Sequence, residues 1–268
     1  MRIFKYWKKA TRALKIWDTN QPSSCYGGSN ISIEDAEKDG EKKLQKAQDI
    51  IDGKSERDKV YEVDIMEEII YEIDHDNIVT RNRYGALVLN CKNLMIIDVD
   101  DYKIKLWDYI LGKTKGKSKK EKIFSQIEKK ARSPKFENLG FRIYETFKGY
   151  RIIIIGKIFD ARSNESKNLM NEFYSDYLYQ SLCLKQNCYR ARLTPKPYRI
   201  NLKRHKIIFP DRNESEEAEH KNWVEKYEMA SERYSTCYLT ITYGMQKPNR
   251  IIEYHDEITK VRQKRKLA

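Results

Sequence analysis

The chain has 268 residues, with 53 Lys and Arg against 40 Asp and Glu, a formal net charge of +13 and a pI near 9.3. Apolar runs such as Ile152–Ile155 span only four residues, whereas a membrane-crossing helix needs about 18 or more. The 31 aromatic residues exclude a disordered chain, and five scattered cysteines indicate a reducing compartment. Because the first residues also lack the apolar segment of a signal peptide, we predict a cytoplasmic protein with no membrane partner.

Charge is unevenly distributed along the chain. Residues 34–76 carry 16 acidic and 7 basic residues, which suits an acidic surface for a protein partner. Gly112–Lys135 is strongly basic, and a mobile basic loop is predicted over Gly112–Lys120. Ser181–Arg212 holds nine basic residues and one acid, interleaved with aromatic and apolar residues. Such a block is typical of an ordered phosphate-binding surface, although a solvated face has the same composition.

The first half of the chain predicts two helices followed by a hairpin. Ser32 and Asp35 have the spacing of a helix N-terminus, and the helix behind them is expected to end near Gly53. Isoleucine spacing predicts a second helix over Asp64–Ile73. The apolar runs Tyr84–Leu89 and Leu94–Ile97 are separated by four polar or small residues and predict a β hairpin.

The second half alternates hairpins or strands with helices. A hairpin is expected where Lys148 and Gly149 separate two apolar runs. The predicted helices are Lys119–Ala131, Asn168–Leu184, Glu214–Ser231 and Arg250–Lys264, and the predicted strands are Phe141–Glu145, Tyr150–Ile155, Cys188–Leu193 and Thr236–Thr242. This order favours an α+β fold in which helices cover an antiparallel sheet. We divide the chain into a helical N-terminal region, residues 1–76, packed on an α+β core, residues 77–268.

The most specific motif is an apolar strand that ends in Asp98-Val99-Asp100. Alternate residues of a strand share a face, so the two carboxylates are expected together, with Cα atoms about 7 Å apart. Two close carboxylates repel unless a cation lies between them, and Mg²⁺ or Mn²⁺ prefers oxygen ligands. The motif therefore predicts a metal site, and the alternative is a strand that runs into an acidic turn.

Two basic segments are candidates for phosphate binding. The turn at Gly149 is flanked by Thr146, Lys148 and Arg151. Because glycine has no side chain, the backbone could approach an anion closely at this position. The alternative is a hairpin whose basic residues simply point outward. On the next predicted strand, Arg190 and Arg192 are expected on one face, and prolines stiffen the segment that carries Lys196 and Arg199. Neighbouring arginines need an anion or an acid partner. Phosphate satisfies this requirement, and so does a structural network with Asp98, Asp100 or Glu145.

In combination, these motifs resemble the catalytic core of the archaeo-eukaryotic primase–polymerases over roughly Tyr84–Thr242. The resemblance implies an RRM-like antiparallel sheet, an Asp-x-Asp metal pair at Asp98 and Asp100, and phosphate binding at Arg151, where the family usually places a His. It also implies a third acid, for which Asp176 and Asp256 are the candidates. The runs at 80–90 and 190–197 are also similar to stretches of uncharacterised bacterial proteins.

The resemblance implies a metal-dependent nucleotidyltransferase that acts on nucleoside triphosphates or nucleic acid. Asp98 and Asp100 would then be catalytic metal ligands, with Mg²⁺ or Mn²⁺ as cofactor. Two alternatives stay open at this point. One is a DNA-binding or RNA-binding module without catalysis on the same fold. The other is a structural subunit that binds a protein partner through its acidic region.

Overall fold

The computed structural model describes residues 1–56, 64–100, 118–203, 205–206 and 208–268, and it has an α+β architecture. Its helices are α1 (Ile33–Ile51), α2 (Lys119–Ala131), α3 (Asn164–Glu172), α4 (Tyr177–Gln186), α5 (Glu214–Ser231) and α6 (Arg250–Ile258). Its strands are β1 (Tyr6–Ile16), β2 (Thr19–Ser29), β3 (Glu68–Asp74), β4 (Asn77–Arg81), β5 (Leu87–Cys91), β6 (Met95–Asp100), β7 (Gly140–Thr146), β8 (Gly149–Ile155), β9 (Tyr189–Arg192), β10 (Tyr234–Ser235), β11 (Cys237–Gly244) and β12 (Lys266–Leu267).

Most strands of the described chain lie in two four-stranded antiparallel sheets. One sheet has the order β3-β4-β5-β9 and the other the order β11-β7-β8-β6. Every residue of β8 is buried, which places this isoleucine-rich strand at the centre of the main core. The strands β6 and β9 lie close to each other, so the two sheets meet at these strands. The antiparallel α+β prediction is thereby confirmed.

Residues 1–76 are predicted to be a helical region, but the structure shows strands there in addition to a helix. It begins with the hairpin β1-β2, paired from Tyr6 opposite Ser29 to Ile16 opposite Thr19, and continues with α1 and β3. Helix α1 packs against this hairpin at a glycine contact, where a Cβ on Gly27 would lie 1.9 Å from the carbonyl oxygen of Ala36. The hairpin was missed because its second strand is rich in Ser, Asn and Gly, which have low strand propensity.

Three of the predicted helices are confirmed. The Ser32 hydroxyl accepts a hydrogen bond from the Asp35 N–H at 3.1 Å and starts α1. Helix α2 covers Lys119–Ala131 as expected, with Ser118 and Glu121 forming a capping box. Helix α5 also has the predicted bounds. Residues 57–63 of the acidic region, and residues 112–117 of the proposed basic loop, lie outside the described residues.

The predicted helix over Asp64–Ile73 is wrong, because most of this segment forms β3. Its register against β4 shifts twice, between Ile69 and Tyr71 and between Glu72 and Asp74. A bulge inserts a residue and disturbs the alternation of side chains. The resulting isoleucine spacing imitates a helical face.

The strands of the predicted hairpin before Asp98 exist, but they do not pair with each other. Strand β5 pairs with β4 and β9, whereas β6 pairs with β8 in the other sheet. The linking residues thus carry the chain from one sheet to the other. Local sequence predicts strands but does not determine long-range partners.

The predicted helix over Asn168–Leu184 is two helices. Tyr174 adopts a left-handed backbone with φ of +59°, and Asp176 then caps α4 by accepting a hydrogen bond from the Tyr179 N–H. The last helix also ends earlier than predicted, at Ile258, because Lys260 has φ of +59°. In the described residues, none of the helices combines the length and apolar character that a membrane crossing requires.

Candidate functional site

The end of β6 places the Asp-x-Asp motif beside β8. Asp98 lies opposite Arg151, and Asp100 lies opposite Gly149. The two aspartates are two residues apart on β6, so their side chains lie on the same face of the strand, as predicted. The Asp98 side chain is 28% exposed, and Asp100 is an exposed residue at the end of the strand.

Arg151 is a buried partner of Asp98. Its Nε donates to Asp98 Oδ1 at 2.8 Å, and one terminal nitrogen donates to the Arg192 carbonyl at 3.0 Å. The second contact joins β8 to β9 and thus connects the two sheets. Although burial opposes its charge, the neighbouring Asp98 carboxylate raises the pKa of Arg151 above its usual value. Arg151 was predicted to bind phosphate, but its guanidinium is engaged by protein groups.

A buried histidine extends this ion pair. The same terminal nitrogen of Arg151 lies 3.1 Å from His255 Nε2, and His255 Nδ1 lies 2.9 Å from Asp256 Oδ1. Because a guanidinium only donates, Nε2 must accept and Nδ1 carries the proton that is donated to Asp256. Burial lowers the pKa of His255, so the ring is neutral at pH 7. Asp256 is then held by Arg142 at 2.6 Å.

Both candidates for a third acid make other contacts in the structure. Asp256 is separated from Asp98 by Arg151 and His255, so it does not share the face of the Asp-x-Asp motif. Asp176 is closer, since its N–H donates to the Asp98 carbonyl at 3.3 Å, but its carboxylate caps α4. Across the described ranges, no three His, Cys, Asp or Glu side chains are grouped as a metal ion would require.

Three cations lie next to the aspartates and form what we call the basic cluster: Arg192, Lys196 and Arg199. In the part of the chain that the structure describes, none of the three forms an ion pair. The Nε atoms of Arg192 and Arg199 are buried, and neither has a hydrogen-bond partner there. The cluster therefore contains donors that the described protein does not satisfy.

The charges of the basic cluster influence one another and the aspartates. Burial, with the charges of Arg199 and Arg151, lowers the pKa of Arg192 to about 10. Burial and the Arg192 charge also lower the pKa of Lys196. Although Asp100 reaches solvent, partial desolvation of its carboxyl group and the Asp98 charge raise the pKa of Asp100, and Arg192 and Arg199 partly oppose this rise. These mutual effects place the cluster and both carboxylates in one electrostatic site.

Arg190 does not belong to this site, contrary to the prediction. Its guanidinium contacts both carboxylate oxygens of buried Glu67, at 2.7 and 2.8 Å, and also bonds Gln186. The predicted alternative of an acid partner is therefore correct for Arg190, although the acid was not among those expected. Glu67 lies 123 residues away in sequence, and no local pattern marks it as a buried partner.

The β7–β8 turn brings a further cation, Lys148, and the aromatic ring of Phe147 to the site. Thr146 is buried, and its hydroxyl accepts a hydrogen bond from the Gly149 N–H at 3.1 Å, so it supports the turn. Lys148 is exposed on the turn, and its charge acts on Tyr198 beside the basic cluster. Glu145 pairs with Lys120 at 2.7 Å and is not a partner of the cluster.

Gly149 is expected to be required for this arrangement. A Cβ at this position would lie 1.9 Å from the Val99 carbonyl oxygen, so β8 and β6 could not keep their separation. Gly149→Ala should lower the free energy of unfolding by about 1–3 kcal/mol, measured by urea denaturation. Lys148→Ala in the same turn is the control, and its effect should stay within about 0.5 kcal/mol. Equal stability of Gly149→Ala and the parent protein would contradict the close approach.

Comparison with known proteins adds no further constraint on the function. No protein-family model matches the chain, and searches of curated proteins and of solved structures give no significant match.

Proposed function

We propose that this protein binds nucleic acid or nucleoside triphosphate through phosphate groups at the basic cluster. The observation that carries the proposal is a group of three half-buried cations, Arg192, Lys196 and Arg199, that form no ion pair among the described residues; two of them also have a buried Nε donor without a partner there. A buried donor without a partner costs free energy, particularly on a charged group. Phosphate oxygens accept from the terminal nitrogens of guanidinium in a bidentate geometry and would neutralise the charge of the cluster.

Charge around the site supports a polyanion over a single carboxylate ligand. Arg151 is neutralised by Asp98, and among the described residues the further carboxylate that acts on the basic cluster is that of Asp100. The excess is positive, and it lies in a protein with a formal net charge of +13. Several adjacent cations match the repeated charges of a phosphate backbone or a triphosphate.

The test is direct binding of a fluorescein-labelled oligonucleotide, followed by anisotropy between 50 and 200 mM salt, with unlabelled ATP as competitor. Counterion release predicts that the logarithm of the association constant falls linearly with the logarithm of salt concentration. Competition by ATP would identify the triphosphate as a second ligand of the same site. No binding of either ligand at 50 mM salt, or binding that does not respond to salt, would refute the proposal.

A second candidate function is metal-dependent nucleotidyl transfer of the primase–polymerase type, on an RRM-like core. The observation that favours it is the placement of Asp98 and Asp100 two residues apart at the end of β6, where desolvation and the Asp98 carboxylate raise the pKa of Asp100. A divalent cation between the two carboxylates would relieve this repulsion. The donors fit such an ion in part: Asp100 is available, whereas Asp98 is shared with Arg151. Substrate phosphate and water would have to supply the remaining oxygen ligands.

Metal binding separates the two candidates. We expect Mn²⁺ to bind the parent protein, and Asp100→Asn to bind it at least about ten-fold more weakly, because a carboxylate ligand is lost. Binding should also weaken as pH falls toward the raised pKa of Asp100, since only the ionised carboxylate is a ligand. Calorimetry measures both effects, with Asp18→Asn in the β1–β2 turn as the control. If Asp100→Asn binds Mn²⁺ as tightly as the parent, the second candidate is wrong and the first is unaffected.

A further inference from the structure

Two exposed aromatic rings lie close to one guanidinium of the basic cluster. The Arg199 Cζ atom is 4.4 Å from the centroid of the Phe147 ring and 5.8 Å from that of Tyr198. Phe147 is 44% exposed and Tyr198 is 64% exposed. A single exposed ring is ordinary on a protein surface, but two exposed rings near one cation bring aromatic and positively charged groups together.

Both rings are carried by short, constrained segments. Phe147 lies in the β7–β8 turn, which Thr146 supports and which the close contact of Gly149 with Val99 holds against β6. Tyr198 lies in the short 3-10 helix Pro197–Ile200, and the proline at its start restricts the backbone. Rings held in this way lose little conformational entropy when a ligand stacks on them.

The same segments carry the phosphate-binding cations. Lys148 follows Phe147 directly, and Lys196 and Arg199 flank Pro197 and Tyr198. Although desolvation opposes the shift, a hydrogen bond with Arg199 and the charges of Lys196, Arg199 and Lys148 lower the pKa of Tyr198, so the three cations lie in the neighbourhood of this ring. The rings and the cations therefore occupy one region of the protein.

We propose that Phe147, Arg199 and Tyr198 form a stacking platform for the bases of single-stranded nucleic acid, an inference that rests on the proposed phosphate binding. The bases would stack on the two rings while the backbone phosphates contact Lys148, Lys196 and Arg192. Single strands expose the faces of their bases, whereas a duplex buries them in its own stack. The platform therefore selects single strands over duplexes, and it accepts DNA and RNA because both have the same aromatic faces.

The test compares a 12-nucleotide oligo(dT) strand, an oligo(U) strand of equal length and a 12-base-pair DNA duplex, each labelled and measured by anisotropy at the same salt concentration. The parent protein should bind both single strands more tightly than the duplex. Phe147→Ala and Tyr198→Ala should each weaken single-strand binding about ten-fold and leave duplex binding unchanged. Because neither substitution removes charge, the salt dependence of single-strand binding should not change.

Two further variants test whether the loss of affinity is specific to stacking on the platform. Phe147→Trp retains an aromatic face and should retain the single-strand affinity, which separates lost stacking from a displaced Arg199. Trp17→Ala, at an 89% exposed ring in the β1–β2 turn, should leave all three affinities unchanged. Circular dichroism checks that each variant is folded.

Failure of the platform can be distinguished from failure of the proposed function. Equal binding of single strands and duplex, with no effect of Phe147→Ala or Tyr198→Ala, overturns the platform while salt-dependent binding stands. A preference for oligo(U) or for oligo(dT) that persists in both alanine variants also overturns it, because that preference arises elsewhere. No binding of any of the three nucleic acids at 50 mM salt overturns both proposals.

Discussion

Replacing Arg151 with methionine is expected to lower the free energy of unfolding by about 3–5 kcal/mol. The Arg151 side chain is 2% exposed, and it donates to the Asp98 carboxylate and to the Arg192 carbonyl. Methionine has a similar length but no donors, so Asp98 would keep a partly buried charge without its partner. His255 Nε2 would also lose its contact. Urea denaturation followed by circular dichroism measures the change.

A double variant tests whether the cost arises from the orphaned carboxylate. Asp98→Asn combined with Arg151→Met removes both charges, and it should recover part of the lost stability. Arg151→Lys should not restore the parent stability, because one ammonium cannot reach the carboxylate, the carbonyl and the imidazole with the geometry of a guanidinium. A loss below about 1 kcal/mol for Arg151→Met would show that the Asp98–Arg151 ion pair contributes little to the stability of the fold.

The largest effect on ligand binding is expected from the double variant Arg192→Gln/Arg199→Gln. Each removed phosphate contact should reduce the salt slope by about one, so the pair should reduce it by about two. At 50 mM salt, a loss of two such contacts corresponds to roughly 100-fold weaker oligonucleotide binding. Glutamine preserves much of the side-chain volume, and both residues carry donors without a described partner, so the fold should be retained.

The matched control for this variant removes two charges elsewhere. Lys8→Gln/Lys9→Gln changes the net charge equally, at exposed residues of β1. The salt slope of this control should differ little from that of the parent, because salt screens the interaction of the bound phosphates with charges that lie farther away than the Debye length. Equal losses in the two double variants would indicate that binding responds to overall charge, and the basic cluster would then not be the site.

Arg190 and Arg192 show how far the sequence could predict this site. Their spacing indicates two arginines on one strand that need negatively charged partners, and this requirement is met at Arg190 by Glu67. Arg192, two residues later on the same strand, has a buried Nε with no described partner. Strand spacing alone could not separate the two, because an ion-pair partner 123 residues distant is determined by how the chain folds.

The sequence by itself determined the features that depend on neighbouring residues. Ser118 with Glu121, and the glycine turn at Gly149, specify α2 and the β7–β8 hairpin because capping and turn geometry involve only a few adjacent residues. The Asp-x-Asp motif and the basic Ser181–Arg212 segment also indicated the region where Asp100 and Arg192 act on each other.

Only the tertiary structure decided which charged groups are paired and which have no partner among the described residues. It moved β5 and β6 into different sheets, bound Asp98 to Arg151, and placed Phe147 against Arg199 across 52 residues of chain. The physical reason is that the free energy of a charged group depends on its burial and on its neighbours in space. Those neighbours come from distant segments, so a basic residue in the sequence has no defined role until its partners are known.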